Sequence, residues 1–130
     1  MKITLLSDSS LSVDAAPGML TIEAPTAEQS YSPYHMVASG LASCTHAILQ
    51  SWADTVKLDA SVLVVRVAWS FVEKPHRVGS YEVTLEWPGL PDERRAQAER
   101  VAGLCPVKQT LLHAPALTIA VAGARTEVAA

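Results

Sequence analysis

Two stretches of the chain alternate strictly between apolar and polar positions. In 61–73, Leu63, Val65, Val67, Trp69 and Phe71 point one way and Arg66 and Ser70 the other; in 81–87, Tyr81, Val83, Leu85 and Trp87 alternate with Glu82, Thr84 and Glu86. A period of two belongs to a half-buried strand, so the two stretches, joined through 75–80, predict a long antiparallel hairpin. Shorter alternating pieces at 3–5, 11–13 and 20–22 are separated by Ser7-Asp8-Ser9-Ser10 and Ala15-Ala16-Pro17-Gly18. They predict a small antiparallel meander. Residues 24–31 keep no period and read as a loop.

The period lengthens at Ser32-Pro33, where the Ser hydroxyl can cap free amides and Pro suits the first turn. Val37, Leu41, Cys44, Ile48 and Trp52 then fall on one helical face, and His35, Ser39, His46, Gln50 and Asp54 on another. A helix over 33–56 would be about 36 Å long. Its many small residues allow close neighbours, so it reads as a central, largely enclosed helix. Pro91-Asp92-Glu93 opens a second helix that stops at Gly103, and Cys105 falls at the N-cap of a third over 106–113. Leu117, Ile119 and Val121 alternate in a last strand. The fold class is α+β, in a single domain over 1–130.

Composition narrows the function. The 130 residues are 49% hydrophobic and 18% charged, which allows an ordinary core without staples. A net charge of −3 with no basic block argues against nucleic acid or an anionic membrane surface as partner. No export signal opens the sequence, and the longest apolar stretch, 36–56, carries too many polar residues to span a bilayer; a cytoplasmic location is the expectation. Two cysteines do not make a disulfide framework. Cys44, His46, Cys105 and His113 could in principle hold a metal, but Cys44 and His46 on one helix point roughly 200° apart, unlike the paired ligands of zinc sites. The reading calls for no metal and no bound cofactor.

The two cysteines differ locally. A thiol at a helix N-terminus, as at Cys105, gains from free N–H groups and the helix dipole. Cys44 has only Gly40, Leu41, Ala47 and Ile48 as helical neighbours, so its own segment marks it as a core cysteine unless another segment or subunit supplies partners. Arg66, in mid-strand, either snorkels or finds an acid.

Ser32-Pro33-Tyr34-His35-Met36-Val37, Ala42-Ser43-Cys44-Thr45 and Cys105-Pro106-Val107-Lys108-Gln109-Thr110-Leu111 resemble the OsmC/Ohr family of osmotically induced and organic-hydroperoxide-resistance proteins, in its small S-P-Y and C-P-V-x-x-T-L branch. The resemblance covers 31–121. It implies an α+β homodimer of two intertwined chains with long central helices between sheets and sites at the subunit interface. It also implies a thiol peroxidase in which Cys44 attacks a small hydroperoxide, Cys105 resolves the sulfenic acid, and a dithiol returns the electrons. Family peroxidases carry an acid after S-P or N-P and an arginine from the N-terminal strands. Here Tyr34 and His35 occupy those helix positions, and the first 33 residues hold Lys2 but no arginine. His35, Tyr34, Arg66 and Glu28 are the candidates to activate the cysteine or position substrate. Slow turnover follows from that departure. The alternative is a non-enzymatic relative that binds a small apolar ligand or senses redox state at the dimer interface.

Overall fold

The computed structural model describes residues 1–123. Three N-terminal strands, β1 (Lys2–Ser7), β2 (Ser10–Asp14) and β3 (Thr21–Glu23), precede the helix α1 (Pro33–Val56). The hairpin β4 (Val64–Val72) and β5 (Arg77–Glu86) follows. A 3₁₀ turn at Asp92–Arg94 then leads into α2 (Arg95–Ala102), and α3 (Pro106–Leu112) comes last. The strands form one sheet in the order β3-β1-β2-β4-β5. One face of it carries α1, which packs on β2 and β4 and in turn receives α2 and α3.

The predicted hairpin is present: β4 and β5 pair antiparallel, and Leu63, Val65, Val67 and Trp69 point into the core. Past Ser70 the register slips by one residue, and Phe71 ends up 38% exposed instead of buried. The extra residue is Gly79, where a Cβ would collide with the Val72 side chain. The N-terminal meander is corrected in one respect. β1 and β2 are antiparallel, but β3 pairs parallel with β1. Since β4 occupies the free edge of β2, β3 must cross to the far side of β1, where it runs in the same direction.

The helix α1 has the predicted bounds but a different orientation. Its deepest positions are Ala38, Leu41, Ala42, Leu49 and Ala53, together with His35, Ser39, Thr45 and His46; of the face expected inward Leu41 is buried, while Val37 is exposed. Small side chains let α1 lie close on the sheet. The buried hydroxyls are satisfied within the helix, Ser39 Oγ donating to the His35 carbonyl at 2.7 Å and Thr45 Oγ1 to that of Leu41 at 2.8 Å. Nor is the helix enclosed within one chain, because Met36, Val37, Gly40, Ala47 and Ser51 form an open stripe along it.

Ser32 caps α1 reciprocally with His35. The Ser32 hydroxyl accepts from the His35 amide at 3.2 Å, and His35 Nδ1 accepts from the Ser32 amide at 3.2 Å. Replacing Ser32 with Ala removes the hydroxyl that caps the His35 amide and bonds its ring, so denaturant unfolding should show a loss of about 1–2 kcal/mol.

The last predicted strand does not form. Leu117, Ile119 and Val121 are 78%, 91% and 90% exposed, and residues 114–122 take no regular structure. The alternating pattern is that of a strand, but within the chain no sheet edge receives it. No helix among the described residues is long and apolar enough to cross a membrane.

Candidate functional site

The middle of α1 and the first turn of α3 bring the two cysteines together. Both are free thiols. Cys105 is the N-cap residue of α3 and fully buried, and Cys44 is half-buried beside the open stripe of α1. Their side chains are neighbours in one packed cluster, Cys105 being close enough to act on the Cys44 thiol. Burial pushes the Cys44 thiol above its ordinary pKa, and the neighbouring Cys105 adds to the rise; a hydrogen bond from the Val107 backbone opposes it. Pro106 opens α3, the amides of this first turn have no partner within the helix, and that of Val107 is the one that acts on the Cys44 thiol. The amide that the sequence placed near Cys105 thus serves Cys44, while Cys105 makes no side-chain cap bond.

This arrangement suits sequential thiol chemistry. The more accessible sulfur has one stabilising donor, and the enclosed sulfur is placed to meet it. Two thiols in contact do not both ionise readily, because each thiolate disfavours the other. A backbone N–H cannot be read from residue type, which is why Val107 escapes a search for charged activators. The signal available was Pro106, which predicts free amides immediately after it.

The other candidates lie elsewhere. His35 is nine residues before Cys44, about 13.5 Å along the helix. Both of its ring nitrogens are engaged, Nδ1 with Ser32 Oγ at 2.7 Å and Nε2 with the Ser7 carbonyl at 2.9 Å, and the ring stands edge-on to Trp69 at 5.0 Å. Tyr34 packs edge-on against Phe71 at 4.8 Å near the hairpin end. Arg66 faces away from α1, on the opposite side of β4 from Val65 and Val67, and pairs with Glu86. Of its two sequence readings, the acidic partner is the one realised. Glu28 is exposed in the loop before α1. The structure brings none of these four to the thiol pair. Among the described residues, no three His, Cys, Asp or Glu side chains cluster as a metal site.

Two clefts follow β5, which is an edge strand of the sheet. One of about 690 Å³ lies between Tyr81 and Val83 of β5, Leu41 and Thr45 of α1, and Lys108 and Leu111 of α3. The other, of about 560 Å³, continues along Leu85 and Trp87 beside Leu90, Arg95 and Ala98. Together they form a trough beside the unpaired backbone of β5.

A protein family described as OsmC-like protein matches residues 26–120. A crystal structure from Psychrobacter arcticus 273-4, described as that of an osmotic stress induced and detoxification response protein by assignment, is similar in fold. Its TM-score is 0.59 at 21% identity, over 83% of this chain and 84% of that one. No curated protein matches the sequence.

Proposed function

The chain belongs to the OsmC-like protein family, and we propose that within it the chain acts as a thiol-dependent hydroperoxide reductase with Cys44 peroxidatic and Cys105 resolving. The observation that carries this reading is that the middle of α1 and the N-cap of α3 bring two free thiols together in one packed cluster. The detoxification role ascribed to the Psychrobacter arcticus protein agrees with it. The Cys44 thiolate attacks the terminal peroxide oxygen, so that an S–O bond forms as the O–O bond breaks. The departing alkoxide takes a proton and leaves as the alcohol. The Cys105 thiolate then attacks the Cys44 sulfur, an S–S bond replaces the S–O bond, and hydroxide leaves and is protonated to water. A dithiol reduces the disulfide and is itself oxidised. Consumption of an alkyl hydroperoxide that requires both protein and dithiol tests the assignment. Binding of an apolar ligand with no consumption at any pH would favour the non-enzymatic alternative.

The proposed working unit is a homodimer, in which residues 117–121 of one copy lie as a strand in the trough beside β5 of the other. Leu117, Ile119 and Val121 would extend the apolar row of Tyr81, Val83 and Leu85, and the unpaired groups of β5 would find partners. The open stripe of α1 beside Cys44 would be covered by the same partner. Ile119→Pro removes a donor from that strand. Sedimentation should give a dimer for the parent chain and a monomer for Ile119→Pro at micromolar concentration; a folded parent monomer would refute the assembly.

A further inference from the structure

His46 has no part in the thiol chemistry, yet it is unusual in its surroundings. It lies two residues after Cys44, on the side of α1 that meets the sheet, and is only 9% exposed. Its Nε2 has no hydrogen-bond partner among the described residues. Burial lowers its pKa from the ordinary imidazole value, as does the N-terminal amine; a hydrogen bond to the Leu63 backbone and the charge of Asp14 act the other way. Asp14 on β2 is shared with Lys2 of β1, whose ammonium lies 3.9 Å from it. On β4 the residues facing α1 are Val65, Val67 and Trp69, and Arg66 is turned to the opposite face with Glu86. From α2 and α3 the core receives Ala98, Val101, Val107 and Cys105, the last a free thiol beside Cys44. A second proton on the ring would therefore need an acceptor for Nε2 that this interface does not hold.

We propose that His46 is an acid-sensitive latch on α1. As the neutral imidazole it packs against β2 and the turn before β4; as the imidazolium it drives this part of α1 away from the sheet and opens the buried thiol region to solvent. The proposal is independent of the hydroperoxide reading, since it requires only the buried ring and its unpaired nitrogen.

The direction follows from proton linkage. In the open state the imidazole titrates near about 6.5, whereas the closed state binds the same proton less readily. Below neutrality the open state takes up more protons, and the opening equilibrium grows as pH falls. One imidazole can increase it by at most about 30-fold at about pH 5.

The test is labelling of Cys105 by 4,4′-dithiodipyridine, which reacts with thiols in acid as well as at neutrality, in chains carrying Cys44→Ser so that no neighbouring thiol displaces the label. The rate is read by peptide mapping and divided by that of free cysteine at each pH. From about pH 7.5 to about pH 5 the normalised rate should rise, by no more than about 30-fold, in the parent with His46 and stay flat in His46→Gln, which keeps a donor but cannot ionise. An equal rise in His46→Gln, or a flat profile in the parent chain, would overturn the proposal. Should the variant fail to fold, NMR titration of the parent His46 ring decides: a ring that titrates at or above the ordinary value refutes the latch, and a depressed titration that coincides with the labelling rise supports it.

Discussion

Cys44→Ser should reduce hydroperoxide turnover to the rate measured without protein, and Cys105→Ser should consume one equivalent of peroxide per chain and then stall. The asymmetry comes from geometry. Cys44 is half-buried beside the open stripe of α1 and its thiol is favoured as the anion by the Val107 backbone, whereas Cys105 is fully buried next to it. Loss of the first sulfur removes the bond-forming atom, and no neighbour replaces it. Loss of the second leaves a sulfenic acid at Cys44 with no partner to condense with. Stopped-flow peroxide consumption and a sulfenic-acid trapping reagent separate the two variants. Sustained turnover by Cys44→Ser would assign the chemistry to Cys105.

Turnover by the parent protein should rise steeply with pH. The thiolate is the nucleophile, and burial together with the Cys105 contact holds the Cys44 pKa above the ordinary thiol value. Below that pKa the reactive fraction grows tenfold per pH unit, so from about pH 6 to about pH 8 the rate should increase by roughly 100-fold. The Val107 amide offsets the shift only in part. Among the described residues no cation acts on the Cys44 thiol, and the loss of a group that stabilises the leaving oxygen typically costs about 100- to 1,000-fold. Turnover should therefore be slow near neutrality. A flat profile across this range would show that another group activates Cys44.

How far the sequence carried depends on the kind of interaction. The hairpin, the bounds of α1 and the Cys105 N-cap were legible because each rests on local periodicity or capping chemistry. The face of α1 turned to the sheet was not, since it is chosen by close approach of Ala38, Ala42 and Ala53 and not by the bulkier Val37 and Trp52. His35 and His46 look polar in one dimension, but His35 is buried by spending both ring nitrogens on Ser32 and the Ser7 carbonyl. The parallel pairing of β3 depends on which sheet edge β4 leaves free. The strand expected at 117–121 does not form although its pattern alternates, and among the described residues no sheet edge pairs with it. At the thiols, residue type identified Cys44 and Cys105, yet the group that serves Cys44 is a backbone amide from a segment some sixty residues away.

The central claim is that Cys44 and Cys105 form one redox pair, and intact-mass spectrometry of the parent chain after a single equivalent of alkyl hydroperoxide tests it most directly. The account predicts a loss of about 2 Da as two thiol hydrogens leave, no remaining free thiol, and one intrachain Cys44–Cys105 peptide on digestion, reversed by a dithiol. An unchanged mass with both thiols still titratable, or a stable gain of oxygen at Cys44 while Cys105 stays reduced, would contradict it.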